Sequence, residues 1–436
     1  MKKILILAGL AVLTSSSAYA TNGMFSHGYG TKNRALAGAG VAVAQGALSS
    51  ATNPASMAYV GNRMDIGAEL FAPRRSFESA STFGFFPDGA GAGTKVESQN
   101  DWFLIPHFGY NLDLGASSVG IAVYGNGGQN VEYEDDDTTF RFGPFFAGKA
   151  SQDLVQVFTN LSYSYKLSQG AVGMSLILGV QSLELRGLQN FAPFTETFAQ
   201  TGNLAAVDDL TDNGKDYAYG AGLKFGYMGK MSPTISFGLS YQTKIYMTEF
   251  DDYSDALAES GDLDVPATLT YGMAWQATPK STFLFDLQYI WYSDVNAIGN
   301  GFEKSISAFL FPIDNSSGLG GNSGPGFGWE DMPIIKLGWE WEANPEWTWR
   351  VGFSHATQPI PDNEVLFNVL APAVVKNHIT FGFTKQMSKK SEFNFAAMYA
   401  PKNSVTGATA IGANQSQVVT LEMHQYSVEA SWGTTF

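Results

Sequence analysis

The sequence predicts an all-β protein, a transmembrane antiparallel barrel of about fourteen strands with a small N-terminal plug in its lumen. Three observations predict it: an export signal at the start, a period-two alternation of apolar and polar residues through most of the chain, and connections that alternate short and long.

The export signal occupies residues 1–20. Lys2 and Lys3 form a positive start, residues 4–13 are apolar, and Ala18-Tyr19-Ala20 is the small-x-small pattern that a signal peptidase cuts. The apolar run is half the roughly 20 residues that a bilayer-spanning helix needs. The mature chain is expected to start at Thr21 with a formal charge of −17, against −15 for the whole sequence, and it has no cysteine. Such acidity argues against nucleic acid as a partner, because phosphate binding wants a basic face.

The alternation decides between a soluble periplasmic sandwich and a membrane barrel. Near the C-terminus Tyr426, Val428, Ala430 and Trp432 share one parity, while Gln425, Ser427, Glu429 and Ser431 share the other. The same pattern runs through 154–167, 281–294 and 347–354. Period two means a strand with one apolar and one polar face. Sandwich strands average five or six residues, and these are longer. The polar face is rich in Gly, Ser, Thr and Gln, as suits a wet lumen behind a lipid-facing wall. Short turns are expected at 114–117, 168–170, 229–233, 278–280, 343–346 and 387–390. Long loops are expected near 79–100, 130–150, 188–213, 249–263, 295–331, 358–373 and 401–422. Six turns and seven loops join about fourteen strands, the even number that barrel closure prefers. The barrel is thus assigned to 65–436 and the plug to 21–64, which has too little apolar bulk for a domain of its own.

At this point the chain resembles the outer-membrane long-chain fatty acid and hydrocarbon transporter family of the FadL type, which includes a monoaromatic-hydrocarbon branch. The resemblance rests on the small-residue run from Gly28 to Gly40 with Arg34 inside it, on Asn53-Pro54-Ala55 just before the first strand, on the strand tally, and on the terminal Phe436. It implies a monomer in the outer membrane of a Gram-negative bacterium that moves hydrophobic small molecules passively and needs no cofactor. Ligand would collect among the outer loops and move to a site in the lumen. It would leave sideways through a gap at the third strand, next to the Asn53-Pro54-Ala55 hatch. The third strand is read as 117–130, where Gly125, Gly127 and Gly128 permit a break in pairing or simply end the strand.

A fatty acid needs a dry channel and a donor for its carboxylate. Candidate apolar contacts are Phe25, Met24, Leu36 and Met57 in the plug, with Phe103, Ile105, Phe158 and Ile177 at lumen parity. Packing of plug on wall is the alternative role of each. Candidate cations are Arg350, Lys336, Lys244, Lys224 and Lys166 on the wall, with Arg34 and Arg63 from the plug. Arg34 and Arg350 are favoured, although Glu340, Glu342, Asp286 and Glu69 share the lumen and can pair such cations. The apolar segments 309–313 and 365–372 are expected to form an outer collecting groove, or else to pack loop on loop. The acidic run Glu132, Glu134, Asp135, Asp136 and Asp137 is either a solvated loop or shares divalent ions with lipopolysaccharide.

Other functions fit less well. The five histidines, His27, His107, His355, His378 and His424, show neither a Gly-x-Ser-x-Gly context nor metal-ligand spacing, so no catalytic or metal site is assigned. An open porin has no use for a plug. A non-transporting adhesin or structural barrel stays open beside uptake of fatty acids or of monoaromatic hydrocarbons.

Overall fold

Fourteen long antiparallel strands close on themselves in the computed structural model of the chain, which describes residues 22–79, 95–134, 145, 148–302, 315–412 and 415–436. They are β1 (Arg63–Ser79), β2 (Phe103–Asp113), β3 (Ser117–Tyr133), β4 (Ala150–Leu167), β5 (Gly170–Arg186), β6 (Asp216–Ser232) and β7 (Ile235–Gln242). The second half is β8 (Thr268–Thr278), β9 (Ser281–Ile290), β10 (Met332–Asn344), β11 (Trp347–Ala356), β12 (Asn377–Gln386), β13 (Ser391–Gly412) and β14 (Gln415–Thr435). Each pairs with its neighbours in sequence, and β14 pairs with β1 from Arg63↔Thr435 to Ser79↔Val419. Short strands Lys95–Glu97 and Tyr246–Met247 edge onto β1 and β6. Closure is what lipid demands, since no backbone polar group can be left unpaired there.

Side-chain parity follows the alternation in the sequence. On β10, Ile335, Leu337, Trp339 and Trp341 are exposed on the outer wall, while Ile334 and Lys336 are buried. Near the short turns the outer wall carries stacked aromatics, Trp339 on Trp341 at 6.3 Å and Trp347 on Trp349 at 5.4 Å. Amphipathic rings of this kind belong at a membrane–water boundary.

Two expectations need correction. The first strand starts at Arg63, so Arg63 belongs to the wall and not to the plug. Segment 401–422 is no loop: β13 and β14 stay paired out to Gly412↔Gln415, and Thr406 bonds across to Thr420 at 2.8 Å. Its small and β-branched residues suit a two-stranded ribbon as well as a loop, which is why composition misread it. Of the two arrangements expected for the apolar run 365–372, the structure shows loop packed on loop, with Phe367 stacked on Phe302 at 5.2 Å and set edge-on to Phe191 at 5.7 Å. Residues 1–20, 309–313 and 135–137 lie outside the described residues, whereas Glu132 and Glu134 bind Lys149 at 2.6 and 2.9 Å.

Residues 22–62 lie within the ring of strands and contact polar groups of the inner wall. Thr380 Oγ1 accepts from Ala37 N and donates to Ala35 O, both at 2.9 Å. Asp286 accepts from Gly40 N at 2.8 Å and Val41 N at 3.0 Å, and Asp65 accepts from Ala47 N at 2.7 Å. The segment comes this close because the wall has glycine where its backbone touches. A Cβ on Gly238 would strike the Val41 carbonyl, and one on Gly352 the Leu36–Ala37 peptide.

Candidate functional site

The wall is incomplete at one place. β2 and β3 pair only from Asp113↔Ser118 to Phe108↔Val123. Beyond that, β2 runs on to Phe103 held by β1 alone, and β3 runs on to Tyr133 held by β4 alone. The opening closes again where Gln99 N donates to Glu132 O at 2.8 Å and Glu132 N to Ser98 Oγ at 3.1 Å. The result is a bounded window in the ladder. Within it β3 carries a bulge, since Gly125 faces Val157 and Gly127 faces Gln156, leaving Asn126 as the extra residue. The glycines therefore mark a break inside a strand, not its end.

The N-terminal segment meets the wall at this bulge. Ser26 N donates to Asn126 O at 2.8 Å, Tyr29 OH donates to Asn126 Oδ1 at 2.7 Å, and Asn126 Nδ2 donates to Gln156 Oε1 at 3.0 Å. Gly127 has its Cα face against the Met24 carbonyl, and Gly128 faces the Leu154 carbonyl. Tyr29, Tyr124 and Phe158 form an aromatic chain, with centroids 4.8 and 6.1 Å apart. Phe103 and Ile105 are buried on the β2 side of the window.

Asn53-Pro54-Ala55 lies elsewhere, against β5 and β6, and so does not border the window. Asn53 is the N-cap of the helical turn Pro54–Tyr59 and accepts from Ala55 N at 3.0 Å. Its amide donates to Val41 O at 2.7 Å and Tyr227 O at 3.0 Å. Gly226 makes room for the Asn53 side chain, and Gly173 for the Pro54–Ala55 peptide. The tripeptide pins the segment to the wall, and residues 24–29 are the ones that face the gap.

The remaining candidates separate by partner. Leu36 packs with Ala39, Ala42, Ala274 and Leu284. Met57 lies against Gly120, and Ile177 is buried in the large inner cluster. Phe25 sets its edge to Tyr292 at 6.2 Å. Arg34 is held by Glu69 at 2.8 Å and Glu429 at 2.6 Å, and Arg350 by Glu340 at 2.7 Å and Thr384 at 2.7 Å. Neither favoured arginine is left to greet a ligand. Arg63 pairs with Asp65 and Glu392, Lys166 with Asp113 at 3.2 Å, and Lys244 with Asp264 at 3.6 Å. Glu342 is exposed.

Lys224 and Lys336 differ from these. Both are buried and line a narrow internal cleft with Phe25, Tyr29, Ser240, Gln242 and Gln288. Lys336 Nζ donates to His27 O at 3.0 Å; Lys224 Nζ donates to Ala51 O and lies 6.0 Å from the centre of the Tyr29 ring. Among the described residues no carboxylate oxygen comes within 4.0 Å of either ammonium. Outside, a second cleft is built from Ala192, Pro193, Leu204, Val207 and Leu210 of the β5–β6 loop, together with polar Gln189, Asn190, Asp208 and Thr211. Sequence reading sought that groove in other loops. Asn126 was also missed, although an asparagine set among three glycines is the signal for such a bulge.

The sequence matches the Outer membrane protein transport protein family (OMPP1/FadL/TodX) over residues 7–431. The chain belongs to that family. It is therefore an outer-membrane barrel of the Gram-negative type, from a family of transport channels for hydrophobic compounds. The fold agrees with solved members. The Pseudomonas putida toluene transporter TodX superposes with a TM-score of 0.66 at 18% identity, covering 94% of this chain and 99% of that one. A Pseudomonas aeruginosa FadL homologue gives 0.67 at 13% identity, covering 95% and 100%. The Ralstonia pickettii toluene transporter TbuX gives 0.63 at 17%, covering 94% and 99%. No curated protein matches the sequence.

Proposed function

We propose that this family member carries long-chain fatty acids passively into the outer membrane. Ligand collects in the apolar cleft of the β5–β6 loop and enters the lumen. It docks its carboxylate at Lys224 and Lys336, and leaves sideways through the β2–β3 window when residues 22–29 draw back. The N-terminal segment acts as the plug, with Asn53-Pro54-Ala55 as its fixed end and 24–29 as its moving end.

The observation that carries the choice of ligand is the lysine pair. A buried ammonium short of counter-charge costs several kcal/mol. Among the described residues Lys224 has no carboxylate within reach, and Lys336 has only Asp286 across the β9–β10 ladder, already accepting from Gly40 N and Val41 N. Two cations facing one cleft also repel each other. A single carboxylate between them relieves both penalties. Toluene offers no such compensation. The acyl chain adds about 25 cal/mol per Å² of apolar surface that leaves water.

The test is uptake of labelled oleate and of toluene by cells that lack their own fatty acid transporter, with the wild type or with Lys224→Met and Lys336→Met. Oleate uptake should depend on the protein and fall about tenfold or more in each variant, a loss of at least 1.4 kcal/mol, while toluene entry changes little. Toluene uptake without oleate uptake would move the protein to the hydrocarbon branch. Failure of both would sink the proposal.

A further inference from the structure

A second break in the wall lies on β1, outside the transport path. Ladder pairing of β1 with β2 stops at Phe71↔Phe103 and resumes only at Ser98, whose N donates to Arg75 O at 2.9 Å. Between these points β1 offers Pro73, which has no N–H to leave unpaired. The gap lets Arg75, at inward parity, and Arg74, at outward parity, line one cleft together with Lys95, Glu97, Asp101, Glu422 and His424.

The cleft sits where the outer wall turns from apolar to charged. Trp432, Val428 and Tyr426 are exposed in succession along β14, with Tyr426 stacked on Tyr399 at 5.2 Å. The next outward residue, His424, sets its edge on Tyr426 at 5.6 Å and pairs with Arg74. From Trp432 to His424 the strand climbs about 20 Å at roughly 3.3 Å per residue and a tilt near 40°. That is close to the height of a barrel's apolar band, about 25 Å. The short turns lie at the Trp432 end, so the cleft faces the outer leaflet. Arg74 lies 5.1 Å from the ring centre of the exposed Trp102.

The cleft's three cations and three carboxylates do not all pair with one another. Arg74 pairs with Asp101, Lys95 with Glu422 and, at 3.6 Å, with Glu97, and Lys402 with Glu422 at 2.8 Å. Arg75 is the cation left over. It is 5% exposed, donates to Asn100 O, sits 5.7 Å from the Phe103 ring centre, and its Nε–H has no partner. Among the described residues no carboxylate oxygen lies within 4.0 Å of it. A buried guanidinium with a spare donor, lining a cleft at the headgroup level, fits a phosphate oxygen.

We propose that this cleft docks a phosphate of lipid A, the anionic anchor of lipopolysaccharide in the outer leaflet. Arg75 is the buried donor, while Arg74 and Lys95 exchange part of their carboxylate contacts for the phosphate. The acyl chains then lie along Tyr399, Tyr426 and Val428.

The test uses purified full-length protein in detergent, titrated with bisphosphorylated lipid A and with the same lipid dephosphorylated. The phosphorylated form should bind at least about tenfold more tightly, and Arg74→Gln, Lys95→Gln and Arg75→Gln should each weaken it about tenfold, or 1.4 kcal/mol. If Arg75→Gln loses its heat-modifiable mobility and so fails to fold, the two outward variants decide. Equal binding of the two lipids, or wild-type binding by both outward variants, overturns the proposal. Displacement by inorganic phosphate or by oleate at matched concentration also overturns it, in favour of a general anion site. Oleate uptake should be unchanged in Lys95→Gln, which separates this result from the transport reading.

Discussion

Arg34 and Lys336 are both buried cations of the lumen, and their difference shows why counting charges along the sequence misleads. Arg34 reaches two carboxylates, so its charge is already spent on structure. Lys336 donates to a backbone carbonyl. Its cross-strand neighbour Asp286 is turned to Gly40 N and Val41 N and stays beyond 4.0 Å, so part of the charge remains available to an incoming anion. The same reasoning applies with opposite sign to Asp262, in the outer loop between β7 and β8. Burial, and then the Asp264 charge beside it, push its carboxyl up to about 7, with Glu259 adding to the rise and Lys244 opposing it. An acid whose folded pKa is raised holds its proton where the unfolded chain has lost it. Loop stability should therefore be highest below about pH 4, fall as pH rises to 7, and stay flat above. Hydrogen exchange at 250–262, corrected for intrinsic rate, should show protection falling over that window in the wild type and no slope in Asp262→Asn. A slope that survives the substitution would assign it to another group.

At the scale of the element, β3 is a strand with a deliberate fault. The bulge at Asn126 turns a carbonyl toward Ser26, and glycine at 127 lets the Met24 carbonyl come within contact. Gly127→Val should push residues 22–29 off the wall without unpairing β3 from β4, because only a loop contact is lost. Hydrogen exchange should rise at 22–29, with barrel mobility on gels unchanged; unchanged exchange would mean that the contact holds nothing. The Asn53 cap offers the complementary case. Asn53→Ala removes a cap worth about 1 kcal/mol and two further hydrogen bonds, so it should loosen 49–59, slow oleate uptake and leave the barrel folded. Normal uptake would detach the tripeptide from transport. These elements also show what the sequence could say. The strands were legible because period two is a local property, and Tyr426, Val428 and Trp432 declare their face without help from the rest of the chain. The bulge was half legible: three glycines flagged a weak ladder, but which backbone would occupy the gap depends on a segment about a hundred residues away. The pairing of Arg34 with Glu429 was illegible for the same reason, since no local pattern brings residue 34 to residue 429. The ribbon at 401–422 was misread because strand pairing beyond the membrane needs no apolar face.

Over the whole molecule, the N-terminal segment and the barrel seam brace each other. β1 and β14 are the two ends of the sheet, and Arg34 bridges them by holding Glu69 of β1 and Glu429 of β14, while Thr31 Oγ1 donates to Glu429 at 2.7 Å. Lys32 and Arg63 add a second link through Glu392 of β13, the first at 2.6 Å. A barrel closed by a ladder running from Arg63 to Ser79 does not need this bridge to stay shut. The segment does need it, because it has little apolar surface of its own to bury. Arg34→Met should leave two buried carboxylates facing each other, a cost of about 3–5 kcal/mol. That cost falls on the seating of the segment and not on the ladder. Exchange at 31–40 should then rise steeply, with the heat-conversion temperature of the barrel nearly unchanged. Adding Glu69→Gln and Glu429→Gln should recover most of the protection, since the penalty comes from uncompensated charge and not from a missing shape. If the barrel instead converts at a much lower temperature in Arg34→Met, the seam depends on the segment, and the proposed movement of that segment during transport would open the wall.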